Sequence, residues 1–146
     1  MTIVVDANII LSGIINPYSL IGVLLIEEIP SVDFITPAFA LTEIKLPKER
    51  ICTKSKISPQ VFDILLEKFL TNITVFGNED VTDEIYRKAQ KLTELIDTND
   101  TWYIAFAIAL NGFLWTGDLK LNRGLRKKAC YLSISTQEFS ALLKGI

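Results

Sequence analysis

The sequence predicts an α/β fold built on a parallel sheet. Short β-branched runs alternate with longer helical patterns along the 146 residues, the signature of repeated β-α-β units. Hydrophobic residues make up 49% and mean hydropathy is +0.34. That suits a sheet covered on both faces, whose strands need no polar side. Every strand run is reached through a helical stretch, so parallel crossovers fit better than hairpins.

The first strand is Thr2-Ile3-Val4-Val5, ending at Asp6. A mostly apolar segment reaches Gly13, and a helix is expected from about Pro17 to Glu28, with proline in its first turn. Val32 to Ile35 reads as the second strand. Thr36-Pro37 then supplies an N-cap and a first-turn proline for a helix carrying Glu43. Ser58-Pro59 repeats that start signal for a helix through about Leu70. Ile73 to Phe76 is the third strand. Asn78 is the expected cap of a long helix, about Glu79 to Ile96, with apolar Val81, Ile85, Ala89, Leu92 and Ile96 at helical spacing. Another helix is expected to begin near Asn99-Asp100 and stop at Gly112. Phe113 to Thr116 is the fourth strand, followed by Asp118 and a basic helix. Tyr131 to Ile134 is the fifth strand, and Thr136 is the expected cap of the last helix.

Composition excludes several chemistries. The length is that of one ordinary domain. The chain has no histidine, which removes Ser-His-Asp and Cys-His catalysis and imidazole ligation of zinc. The two cysteines, Cys52 and Cys130, make neither a disulfide framework nor a zinc site and are expected as free thiols. The apolar stretch from Ile9 to Ile29 is broken by Asn16, Pro17, Ser19 and Glu27, so no membrane span is expected. A basic N-terminal region and a cleavage site are also missing, so we expect a cytoplasmic protein. Net charge is −2, so contact with nucleic acid would have to come from local patches. Walker and Gly-x-Gly-x-x-Gly phosphate loops are absent.

The acids carry the functional signal. Asp6 ends the first strand and Asp118 sits just past the fourth. Sites in open parallel sheets form outside the carboxyl ends of the strands, which places both at that edge. Asp100 starts the helix that feeds the fourth strand, and Glu43 lies within the helix after the second; only tertiary folding can bring these two to the same edge. Taken singly, each acid has a plainer role. Asp6 suits a helix cap, Asp118 a turn, Asp100 a helix N-terminus and Glu43 a solvated helix face. Taken together, four clustered carboxylates need a cation to stay ionised. Their hard oxygens suit Mg²⁺ or Mn²⁺, and such a site points to metal-assisted phosphodiester hydrolysis.

The ordered motifs resemble the PIN-domain family over nearly the whole chain. Ile3-Val4-Val5-Asp6-Ala7-Asn8 resembles its first strand and leading acid. Thr42-Glu43-Ile44 resembles the segment with the second acid, and Asp100-Thr101-Trp102-Tyr103-Ile104-Ala105-Phe106-Ala107 the third-acid helix. Leu114-Trp115-Thr116-Gly117-Asp118 resembles the strand and Thr-x-Asp of the fourth. Gly117 stands where the family often has a polar residue. The resemblance implies a three-layer domain, its five-stranded parallel sheet in the order 3-2-1-4-5 and flanked by helices. It implies an Mg²⁺- or Mn²⁺-dependent ribonuclease with Asp6, Asp100 and Asp118 as the main ligands, and Glu43 completing the catalytic acids. Asn8 and Thr116 would orient the ligands, and Asp97 is the alternative to Asp100. It further implies an RNA substrate, a homodimer and kinship with VapC-like toxins that an antitoxin silences. The alternative is a catalytically silent module of the same fold that binds RNA or a protein partner.

Two basic clusters follow proposed ligands and are candidates for phosphate contacts: Lys45, Lys48, Arg50, Lys54 and Lys56, and Lys120, Arg123, Arg126, Lys127 and Lys128. Ordinary solvated helix faces would look the same. Trp102 and Trp115 suit either base stacking or a core or dimer-interface role. A response-regulator receiver fits poorly, because Asp6 stands alone and the third strand run ends Val75-Phe76-Gly77 without a phosphoacceptor.

Overall fold

The computed structural model describes residues 1–145. Five parallel strands, β1 (Thr2–Val5), β2 (Asp33–Pro37), β3 (Ile73–Phe76), β4 (Phe113–Trp115) and β5 (Ser133–Ile134), form one sheet in the order 3-2-1-4-5. This is the fold class and strand order expected. The helices are α1 (Ala7–Ile15), α2 (Leu20–Ile26), α3 (Ala38–Lys45), α4 (Lys48–Ser55), α5 (Pro59–Thr71), α6 (Asp83–Thr93), α7 (Thr101–Ala109), α8 (Leu119–Lys127) and α9 (Thr136–Lys144). A 3₁₀ turn, Thr98–Asp100, leads into α7.

The central strand β1 pairs with β2 on one side and β4 on the other. The chain leaves β1 toward β2 and β3, then returns to build β4 and β5 on the opposite flank. The crevice between the ends of β1 and β4 is therefore a topological switch point, where an open α/β sheet receives ligands. Ile3, Val4, Val5, Leu114 and Trp115 are fully buried, as strands covered on both faces must be. Phe34 of β2, Trp115 of β4 and Phe139 of α9 form an aromatic cluster with ring centroids 4.8 to 6.0 Å apart. Trp115 is thus a core residue, and its indole N–H donates to Thr136 Oγ1 at 3.0 Å. Trp102 is half-buried, its ring centroid 4.7 Å from that of Tyr86. Both cysteines are free thiols.

Several boundaries differ from expectation, each for a local reason. The helix expected from Pro17 begins at Leu20, because Ser19 caps it by accepting from the Gly22 N–H, and it ends at Ile26. Thr36 caps no helix. Residues 36 and 37 stay in β2, paired with Val75 and Phe76, and the Thr36 hydroxyl donates to the Val5 carbonyl at 2.8 Å. The long helix expected from Asn78 is the shorter α6, capped by Thr82 and ended before Leu95, which adopts φ 67°. Helix α7 stops at Ala109 because Asn111 turns left-handed, while the Gly112 N–H donates back to the Ala107 carbonyl. Gly112 also lets the chain pass close to β1, since a Cβ there would lie 2.5 Å from the Thr2 carbonyl oxygen. The fifth strand is only Ser133–Ile134, and Ser135 caps α9 in a reciprocal pair with Glu138. Helix α4 was not expected from the sequence. Its charged stretch offers Cys52 as its buried residue and Ile51 as a half-buried one.

Among the described residues no single helix is long and apolar enough to cross a membrane. The most apolar pair, α1 and α2, is bent by 108° and lies against α5. Phe69 of α5 is fully buried there, and its ring approaches the Gly13 backbone of α1 so closely that an added Cβ would sit 3.0 Å from it. Truncating Phe69 to alanine is expected to cost about 3–5 kcal/mol. Urea denaturation should give a lower midpoint with an unchanged slope; a loss below about 1 kcal/mol would mean that this layer is not tightly packed.

Candidate active site

The acids meet at the switch point. Asp6 follows β1 directly and is 3% exposed. It caps α1: Oδ1 accepts the Asn8 N–H at 3.1 Å, and Oδ2 accepts the Thr116 hydroxyl at 2.7 Å. Asp118 follows β4 closely and caps α8, its Oδ1 accepting the Leu121 N–H at 3.0 Å. The Thr116 hydroxyl also accepts the Asp118 N–H at 3.1 Å, so one threonine links the two acids that follow the central strands. Asp100 is buried at the start of α7. For Asp6 and Asp118, capping and membership of the acid cluster are compatible roles. Each sits where a helix N-terminus directs positive potential into the crevice.

Asp97, Asp100 and Asp118 each bring a carboxylate oxygen within 4.8 Å of the other two. Asp97 therefore stands beside Asp100, and both can offer an oxygen to the same point. Asp6 is near enough to this trio for its charge to act on Asp100. Glu43, Asn8, Asp97 and Asp100 line the same cleft as Asp6 and Asp118, a space of about 900 Å³. The structure thus brings together all four acids expected from the sequence, the alternative Asp97, and Asn8. Thr116 is fully buried and reaches the cleft only through the acids it binds.

Sequence reasoning missed the part played by one cleft residue. Tyr103 lies three positions after Asp100, on the same side of α7. Its hydroxyl donates to Glu43 Oε1 and accepts the Ala7 N–H at 3.3 Å. It thereby ties α3, α7 and the start of α1 together, and fixes a glutamate that is otherwise exposed. A polar ring tip in an otherwise apolar helix was the available signal. Arg50, one of the basic residues expected to flank the site, also lines the cleft, on the unexpected α4.

The electrostatics favour a cation. Burial pushes Asp100 up to about 8 from an ordinary 3.8, and the neighbouring Asp6 carboxylate adds to the shift. Burial also raises Asp6, against the lowering effect of the Thr116 and Asn8 hydrogen bonds. Asp100 Oδ2 is buried and finds no hydrogen-bond partner among the described residues. Hard oxygens held close together, one of them orphaned, fit a hard divalent cation of the Mg²⁺ or Mn²⁺ type.

The expected flanking role of the basic clusters holds only in part. Arg50 lines the cleft and, with Lys54, a shallow groove beside it. Lys48 instead pairs with Asp63 at 2.7 Å. Arg126 pairs with Glu138 and lies over the Tyr131 ring, and Lys128 donates to the last carbonyls of α6. These side chains are held by structural contacts.

The family model for the PIN domain matches residues 4–139. No curated protein matches the sequence. Among solved structures, VapBC-1 from nontypeable Haemophilus influenzae is similar in fold. The alignment has a TM-score of 0.61 at 19% identity and covers 94% of this chain and 99% of that one.

The raised carboxyls make stability depend on pH. A folded pKa above the unfolded 3.8 means that folding takes up protons. That contribution is complete below 3.8 and is lost as pH rises through about 8. In metal-free buffer, the thermal midpoint should therefore fall relative to Asp100→Asn between about pH 5 and about pH 9, and Mn²⁺ should restore it. A difference that ignores both pH and Mn²⁺ would contradict this electrostatic origin.

Proposed function

The chain belongs to the PIN-domain family, and from that premise we propose that it is a divalent-metal-dependent endoribonuclease hydrolysing RNA phosphodiester bonds. The observation that carries the reading is the convergence of Asp97, Asp100 and Asp118 on one point in the cleft that buried Asp6 also lines. Asp6, Asp100 and Asp118 are the proposed metal ligands, with Asp97 a further donor at the rim. A bound Mg²⁺ or Mn²⁺ would neutralise charge on a phosphoryl oxygen and ease deprotonation of the attacking water.

The chain's own groups divide the remaining work. Thr116 holds Asp6 and the Asp118 backbone in register. Tyr103 occupies one oxygen of Glu43, while the other makes no hydrogen bond among the described residues. That free oxygen suits acceptance of a proton from the attacking water. Water adds to phosphorus and gives a proton to Glu43, the bond to the leaving ribose oxygen breaks, and that oxygen takes a proton from solvent. Arg50 at the cleft wall suits a neighbouring phosphate. RNA as substrate and the cytoplasm as its location are parts of this reading, as is assembly as a homodimer.

Cleavage of a mixed-sequence RNA should require Mg²⁺ or Mn²⁺ and stop in chelator. Asp6→Asn and Asp118→Asn should each fall to the chelated level, with weaker Mn²⁺ binding by calorimetry. Tyr103→Phe should lower kcat by about 10–100-fold through misplacement of Glu43, with little change in KM. RNA bound equally well in chelator, and never cut under any metal, would instead favour a silent binding module.

The fold likeness to VapBC-1 supports a narrower reading as a toxin held by an antitoxin. Induced expression should then arrest growth, and Asp6→Asn should relieve the arrest. Unimpeded growth with soluble, active protein would reject the toxin role while leaving the nuclease intact.

A further inference from the structure

Beside the acid cleft, Leu95, Ile96 and Gly124 meet Lys120, Arg123 and Lys127 in a second depression of about 480 Å³. A shallow channel lined by Leu95, Ile96, Asp97, Thr98 and Lys120 lies between the two. It shares Asp97 with the acid cleft and Lys120 with the basic depression. The surface is thus continuous from the proposed metal site onto the flank of α8.

We propose that this groove carries the single-stranded RNA leading into the cleft, a reading that rests on the ribonuclease assignment and adds a second subsite to it. The structure sorts the five cations of the α8 cluster. Arg126 and Lys128 are held by protein contacts. Lys120, Arg123 and Lys127 are exposed, and among the described residues none of them makes an ion pair. They fall at intervals of three and four along one face of the helix and span about 10 Å at 1.5 Å per residue. With a net charge of −2, the protein has no global attraction for a polyanion, so a free cationic row beside an anionic site marks a local path for phosphates.

The apolar edge points to a single strand. Leu95 is 99% exposed and stands in the left-handed region at φ 67°. Ile96 sits beside it, close against α8 because Gly124 lacks a side chain; a Cβ there would meet Ile96 Cδ1 at 2.7 Å. An apolar edge beside a cationic row offers unpaired bases a dry surface and their phosphates a charged one. A duplex keeps its base faces stacked away from such an edge.

The test substitutes Lys120, Arg123 and Lys127 together by glutamine. The control substitutes the exposed Lys68, Lys88 and Lys144, which carry the same charge away from the groove. In Mn²⁺, KM for an unstructured RNA of about 12 nucleotides should rise about tenfold with kcat unchanged, while cleavage of a fragment of about 3 nucleotides stays at the parent level. The slope of log kcat/KM against log salt should shrink by about 2, since three phosphate contacts are removed. The control should match the parent, and an RNA duplex should compete poorly. Unchanged KM and salt slope in the groove variant would overturn the groove while leaving the nuclease reading standing. If no RNA is cut by any form, the nuclease reading fails, and anisotropy with the same labelled RNA decides the groove. Loss of binding only in the groove variant supports it, and equal binding overturns it. A poly-glutamate peptide that binds the groove while RNA does not would also overturn it, in favour of an acidic protein partner.

Discussion

Carboxylates crowded into a partly dry crevice repel one another, and that repulsion is the constraint around which this end of the molecule is organised. Burying a charge without a partner is costly. Here Asp6 and Asp100 are buried, and Asp97 and Asp118 stand beside them. The protein meets part of the cost with backbone. Asp6 caps α1 and Asp118 caps α8, so helix termini supply N–H donors and positive potential. Thr116 adds one hydroxyl. Asp100 Oδ2 receives nothing from the described residues. What remains uncompensated is the demand that a divalent cation would satisfy.

The fold makes this crowding possible without strain in the sheet. The two middle strands, β1 and β4, end side by side, and Asp6 and Asp118 lie at and just past those ends. Helix α7 brings Asp100 and Tyr103 across the same opening, and α3 brings Glu43. Tyr103 joins the last two through its hydroxyl, so Glu43 is held although its helix is exposed on that side. Local rigidity and electrostatic stress therefore coexist, as expected where a structure is preorganised for chemistry.

The legible part of this architecture was local. Strand runs, the positions of Asp6 and Asp118 past strand ends, and the Ser58-Pro59 helix start are signals within a few residues. Boundaries failed where a neighbouring residue competed better. Ser19 displaced Pro17 as the start of α2, Thr82 displaced Asn78, Ser135 displaced Thr136, and Asn111 ended α7 ahead of Gly112. The packing that completes the site was harder to foresee than the residues. Asp97 joins the cluster through a 3₁₀ turn, Arg50 arrives on a helix whose apolar face is too narrow to detect, and the link from Tyr103 to Glu43 spans 60 positions. Such contacts are set by tertiary packing. The ordered resemblance to a family supplied the strand order and the expectation that the four acids act together, which periodicity alone did not.

The most direct measurement is an anomalous-diffraction experiment on crystals soaked in Mn²⁺. An anomalous peak is expected among the carboxylates of Asp97, Asp100 and Asp118, in the cleft that Asp6 shares. A cleft with no peak at saturating Mn²⁺, with the carboxylates close together as they are here, would contradict a metal-holding site: the acid cluster would then be sustained by protonation alone.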